Sequence, residues 1–170
     1  MDPLNYIVKY LPAARETEAK TGFSAVANLT QGAVEGGWGD HCPGNNFFGV
    51  KDSDGINGNE QLLVTTEYSK YKTLKFPVIL SIVWSANLKL WKYTVKDFFR
   101  KYNDASEVFQ SHADFFRLRP RYAKAWAVRG DYKNFFTEIA KAGYATDPNY
   151  SQKLINVGEK IETLIITNKL

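Results

Sequence analysis

A single cysteine, Cys42, stands among the 170 residues, so no disulfide can form within the chain. Two histidines and one thiol are thin material for a zinc site, and neither a metal nor a cofactor is expected. Long apolar runs are also missing. The most hydrophobic stretch, residues 78–84, is far too short to span a bilayer, so no membrane insertion is expected. Met1-Asp2-Pro3-Leu4-Asn5 lacks the basic region and following apolar run of a secretory leader. Lys and Arg are spread among acids rather than massed on one element, which argues against nucleic acid as a partner. There is no internal repeat and no low-complexity linker, so residues 1–170 read as one domain.

Residues 31–51 read Gln-Gly-Ala-Val-Glu-Gly-Gly-Trp-Gly-Asp-His-Cys-Pro-Gly-Asn-Asn-Phe-Phe-Gly-Val-Lys. The one glutamate in this stretch, Glu35, ends an apolar segment that is periodic as a helix. A carboxyl at a helix C-terminus faces the negative end of the dipole. Beside Trp38 it also loses water, and both effects favour its protonated form. A proton-donating carboxylic acid is what cleavage of a glycosidic bond requires. The glycines allow tight turns and close approach of backbone to a bulky substrate. Asn45 and Asn46 supply donors and acceptors suited to sugar hydroxyl and acetamido groups.

Three more stretches matter: Thr65-Thr66-Glu67-Tyr68, Phe99-Arg100-Lys101-Tyr102, and Gly143-Tyr144-Ala145-Thr146-Asp147-Pro148-Asn149-Tyr150. With the Glu35 segment, they run in the order seen in the flagellar-type endo-β-N-acetylglucosaminidases of glycoside hydrolase family 73, which the chain resembles from about residue 20 to about residue 160. The resemblance implies an α+β, lysozyme-like fold, mostly helical, with a small antiparallel β-lobe forming one wall of a cleft. It implies hydrolysis of the β-1,4 bond between N-acetylglucosamine and N-acetylmuramic acid, with peptidoglycan glycan strands as partner and the chain as a monomer. It also implies that Tyr144 lines the cleft near the reacting sugar, and that Trp38, Asn45, Asn46, Phe48 and Asp147 bind substrate. Cys42 stands where the family tends to have a small residue and reads as a space-filler. A wall hydrolase without a leader needs another way out. A phage or prophage endolysin, a tail component, or a domain cut from a longer chain would each fit.

Composition agrees with a saccharide partner. Aromatics make up 15% of the chain; most should build the core and a few should stack on sugar rings. A net charge of +4 and a pI of about 9.0 favour an anionic partner.

Glycoside hydrolysis generally uses two carboxylates flanking the scissile bond. Glu35 is the expected acid and Glu67 the expected second group, with Glu60 as fallback. Glu67 could activate water, act as nucleophile, or assist attack by the substrate's own acetamido group, and the sequence leaves these open. A muramidase or lytic transglycosylase on the same fold is the first alternative. A catalytically silent peptidoglycan-binding or phage structural module is the second.

The periodicity predicts a helix from Asp2-Pro3 to Gly22, kinked or restarted at Pro12, then a second over 23–35. Strands are expected over 61–68, 78–84 and 88–98, the last two as a hairpin with one face of Trp91, Tyr93 and Val95 buried. Helices return around Val108–Phe116, 122–128, 132–142 and 150–166, with Asp131 and Asp147-Pro148 as start signals. Asp52-Ser53-Asp54-Gly55 and Asn57-Gly58-Asn59 read as turns, with an incomplete likeness to a calcium loop.

Overall fold

Helix α1, Pro3–Thr21, is capped by the Asp2 carboxylate, which accepts from the backbone of Leu4 and Asn5, and it ends at Gly22 in the left-handed region. The helix does not restart at Pro12 but runs through it. Proline removes the bond to the carbonyl of Val8, and Val8 is an exposed residue, so water can satisfy the freed group. Helix α2, Ala25–Glu35, starts at Ser24, whose side chain accepts from Ala27 N. Residues 27–33 of α2 are all buried. A helix buried all round is a central helix, and Glu35 is where it emerges.

The computed structural model describes all 170 residues, which divide into two compact units. The helical unit comprises Met1–Phe48 and Tyr102–Leu170. It contains α1 and α2, then α3 (Ala105–Arg117), the short α4 (Ala123–Ala127), α5 (Tyr132–Lys141) and α6 (Tyr150–Thr167). The helix expected over 122–128 is thus shorter, preceded by a 3-10 turn at Pro120–Tyr122. Two aromatic-rich clusters form its core. One gathers Tyr6, Tyr10, Leu29, Phe47 and Phe109; the other gathers Phe23, Phe116, Phe135, Phe136 and Leu154.

The second unit, Gly49–Lys101, is a three-stranded antiparallel sheet. Its strands are β1 (Glu60–Ser69), β2 (Val78–Ser85) and β3 (Leu90–Arg100), in the order β1-β3-β2. The expected alternation in β3 holds at Tyr93 and Val95, which are buried, and at Lys92, which is exposed, whereas Trp91, expected on the buried face, is only partly covered. Tyr93 lies opposite Glu67 on β1 and Ile82 on β2. Its phenol donates to Tyr71 O at 2.8 Å, which pins the 70–77 connection to the sheet. In the acidic turn, the Arg100 guanidinium pairs with Asp52 and Asp54, so protein donors take up these carboxylates. No helix in the chain is long and apolar enough to cross a membrane.

Candidate active site

Glu35, the last residue of α2, is met by two phenols from elsewhere in the chain. Tyr144 donates to its Oε1 at 3.2 Å and Tyr150 donates to the same oxygen at 3.3 Å. The two rings stack, with centroids 5.7 Å apart and planes 26° from parallel. Tyr144 follows α5 and packs among Phe115, Phe116 and Tyr122; Tyr150 begins α6. Two aromatic residues far along the chain are thereby fixed on one oxygen.

Glu35 remains reachable by solvent, yet protein atoms crowd its carboxyl. Access and solvation are different quantities: a carboxyl among packed rings can be touched by water and still keep too few waters to hold its charge. This desolvation raises its pKa from 4.5 to about 7. The bonds from Tyr144 and Tyr150 and a polar contact with Gln31 pull the other way without cancelling it. Burial, and then the charge of Glu35, hold both phenols well above the usual tyrosine range, so they stay protonated donors.

Gln31 lies four residues before Glu35, on the same helix face. It is fully buried, and neither amide atom completes a hydrogen bond, although the amide bears electrostatically on both Glu35 and Tyr150. A buried orphan amide calls for an explanation. The polar groups it bears on are the Glu35 carboxyl, one turn away, and the Tyr150 phenol.

The chain then turns sharply. Gly37, Trp38 and Gly39 have φ of 57°, 55° and 81°, three successive left-handed residues. Glycine adopts this conformation freely, whereas for tryptophan it costs about 1–2 kcal/mol. The indole lies edge-on against Tyr6, with centroids 5.5 Å apart, and the Lys160 ammonium lies 5.5 Å from the Trp38 ring centre. Strain of this kind clusters at functional sites.

The Asn-Asn-Phe-Phe run holds its own loop in place. Asn45 Nδ2 donates to the carbonyls of Tyr102 at 3.0 Å and Asn103 at 3.2 Å. Asn46 and Phe47 are buried, and Phe48 lies flat against His112 at 3.7 Å. Asp147 accepts from Asn149 N at 2.9 Å and pairs with Lys153 at 2.5 Å, which lowers its pKa. It shapes the turn before α6.

In the sheet unit, Glu67 Oε1 accepts from Lys51 Nζ at 2.6 Å, and the same ammonium reaches Asp97 Oδ2 at 2.7 Å. Desolvation works against the charge on Lys51, but its bonds to Asp97 and Glu67 outweigh this and raise its pKa. Glu60 is engaged differently. It accepts from the backbone of Asn57 and Gly58, which lowers its pKa and makes it a turn cap. No group of three or more His, Cys, Asp and Glu side chains could hold a metal ion.

Sequence reasoning did not place Tyr150 and Gln31 beside Glu35, or Lys51 beside Glu67. Gln31 alone carried a readable signal, its spacing of four from Glu35. Tyr150 and Lys51 reach their carboxylates only through tertiary folding.

Comparison with known proteins agrees with the architecture. The Glucosaminidase family profile, described as mannosyl-glycoprotein endo-β-N-acetylglucosaminidase, matches residues 11–163. The chain is 30% identical over 168 residues to the peptidoglycan hydrolase FlgJ of Vibrio parahaemolyticus, covering 95% of this chain and 48% of that protein. It is 28% identical over 141 residues to the exo-glucosaminidase LytG of Bacillus subtilis, covering 79% and 43%. The chain thus spans about half or less of the curated relatives it matches. Among solved structures, the C-terminally truncated glycoside hydrolase domain of Salmonella typhimurium FlgJ superposes with a TM-score of 0.70 at 27% identity, covering 95% of this chain and 99% of that one. The α+β, lysozyme-like fold is shared, and the chain belongs to the Glucosaminidase family, glycoside hydrolase family 73.

Proposed function

We propose that the chain is a peptidoglycan glycosidase that cleaves the β-1,4 bond between N-acetylglucosamine and N-acetylmuramic acid, with Glu35 as general acid. The observation that carries this reading is a solvent-reachable carboxyl whose pKa stands at about 7, held on one oxygen by Tyr144 and Tyr150. At neutral pH a large fraction of Glu35 holds a proton to give to the leaving oxygen. The negative charge that remains is met by two phenolic donors and the amide of Gln31, so the carboxylate is stabilised as it forms.

Glu67 is the proposed second carboxylate, held in place by Lys51. It activates water or orients the substrate's acetamido group. Tyr144 is the proposed tyrosine beside the reacting sugar. Trp38 supplies a ring face for a sugar, and Asn45, Asn46, Phe48 and Asp147 are the other proposed substrate-binding residues. A single family profile running through both units supports treating residues 1–170 as one catalytic domain. It acts as a monomer on glycan strands of the wall, in the periplasm or outside the cell.

The test is digestion of purified walls, followed by borohydride reduction and mass spectrometry of the products. Reduced N-acetylglucosamine ends are expected. Reduced muramic acid alone would make the protein a muramidase, anhydro ends a lytic transglycosylase, and no release at all a binding module.

A further inference from the structure

Charge is distributed unevenly between the two units. Residues 49–101 carry nine Lys and Arg against five Asp and Glu, which accounts for the entire net charge of +4. From Tyr68 through Lys96 there are six lysines and no acid. The helical unit carries thirteen basic and thirteen acidic residues, although it has a basic run of its own over 115–130.

The same stretch carries a tryptophan pair. Trp84 on β2 lies directly opposite Trp91 on β3, with centroids 5.2 Å apart and planes at 64°. Trp84 remains 48% exposed. Lys72 sets its ammonium 4.6 Å from the Trp91 ring centre. The backbone that carries Lys72 is held by Tyr93, which bonds it on either side, at Tyr71 O and Leu74 N.

Register relates this pair to Glu67. Trp91 lies opposite Ser69, and Glu67 lies two residues before Ser69. Residues two apart on a strand, and those directly opposite on its neighbour, share a face. Glu67, Trp91 and Trp84 therefore occupy one face, with Trp91 the diagonal cross-strand neighbour of Glu67, about 7–8 Å away.

We infer that Trp84, Trp91 and Lys72 form a subsite for a carboxylate-bearing sugar of a glycan strand, on the Glu67 face of the sheet. The inference rests on the glycosidase reading. The open ring of Trp84 takes the apolar face of a pyranose, and Lys72 meets the carboxylate attached to a neighbouring sugar. This face also carries Asp97 and Lys51, polar company that suits a hydrated polysaccharide and not a lipid. The opposite face, with Val64 and Val83 beside Lys96 and Lys92, is the one a lipid surface would take.

The test uses the full chain carrying Glu35→Gln, so that binding is measured without cleavage. Sedimentation would be compared on peptidoglycan sacculi, on uncharged poly-N-acetylglucosamine, on phosphatidylglycerol vesicles and on a short oligonucleotide. Trp84→Ala is expected to weaken binding to sacculi about two- to tenfold, the range for an aromatic contact, while Trp84→Phe retains most of it. Lys72→Ala is expected to weaken binding to sacculi but not to the uncharged polymer, and the difference should shrink with added salt. Unchanged affinity of Trp84→Ala for sacculi would overturn the inference. So would a loss confined to vesicles or to the oligonucleotide. The glycosidase reading is scored separately, by whether the unsubstituted chain releases reducing ends from the same sacculi.

Discussion

The phenol of Tyr144 lies 3.2 Å from Oε1 of Glu35, although the two residues are 109 positions apart in sequence. One helix end and one interhelical turn thereby meet at a single carboxyl oxygen. Replacing Glu35 by Gln keeps the shape and hydrogen-bonding capacity of the side chain and removes its transferable proton. Turnover on purified walls should fall at least ~10²-fold. Stability should respond in the opposite sense. A carboxyl whose folded pKa is raised from 4.5 to about 7 opposes folding increasingly as pH rises through that window. Glu35→Gln should therefore be more stable than the parent at pH 8 and equal to it at pH 4, as read by urea unfolding. Near-parental lysis by the variant would remove Glu35 from the role of acid.

The pH profile should carry the signature of the two phenols. Activity that needs protonated Glu35 falls as pH rises through about 7. Tyr144 and Tyr150 both lower that pKa, so Tyr144→Phe or Tyr150→Phe should move the alkaline limb to higher pH. At the same time kcat should drop, because the forming carboxylate loses a donor. A limb that stays in place in both variants would show that these bonds do not act on the catalytic proton.

Much of this site was legible in the sequence for local reasons. An apolar run stopped by Glu-Gly-Gly-Trp-Gly is a helix end followed by a forced turn, and Glu35, Gly37 and Gly39 behave in that way. Asp2-Pro3, Gly22 and Asp131 are caps written in one or two residues, and all three cap. What was not legible depends on packing. Pro12 was expected to kink or restart α1; the helix does not restart there, and the lost bond falls at exposed Val8, where it is tolerated. The desolvation of Glu35 was traced to Trp38, yet the rings bonded to the carboxyl are Tyr144 and Tyr150, brought in by the helices α5 and α6. The bridge of Lys51 to Glu67 and Asp97 exists only in the register of β1 on β3.

Glu67 separates the possible mechanisms. If it is the base of an inverting reaction, Glu67→Ala should nearly abolish hydrolysis, and added azide should restore part of it as an α-glycosyl azide. If the acetamido group of the substrate attacks, the same variant should keep measurable activity, azide should not help, and the first-formed anomer should be β. Lys51→Met should weaken activity in either case, because the carboxylate loses the ammonium that positions it. Full activity in Glu67→Ala would exclude both roles.

His112 should make the fold sensitive to acid. It is buried on α3, with Nδ1 2.7 Å from Asn28 Oδ1 and no partner for Nε2. The Asn28 amide nitrogen donates to Phe109 O, so Oδ1 faces the ring and Nδ1 carries the hydrogen of a neutral imidazole. Burial pushes its pKa from 6.5 down to about 3. Below pH 6.5 the unfolded chain binds a proton that the folded chain refuses, so stability falls with pH and the loss continues until about pH 3. The slope from this one group is about 1.4 kcal/mol per pH unit. His112→Gln keeps a donor for Asn28 and cannot protonate. Urea unfolding at pH 7 and pH 4.5 should show the parent losing about 2–3 kcal/mol more than the variant across that interval. The variant should be weaker at pH 7, having lost the stack on Phe48, and the gap should narrow as pH falls. Parallel losses in the two proteins would mean that His112 takes up its proton without unfolding the chain.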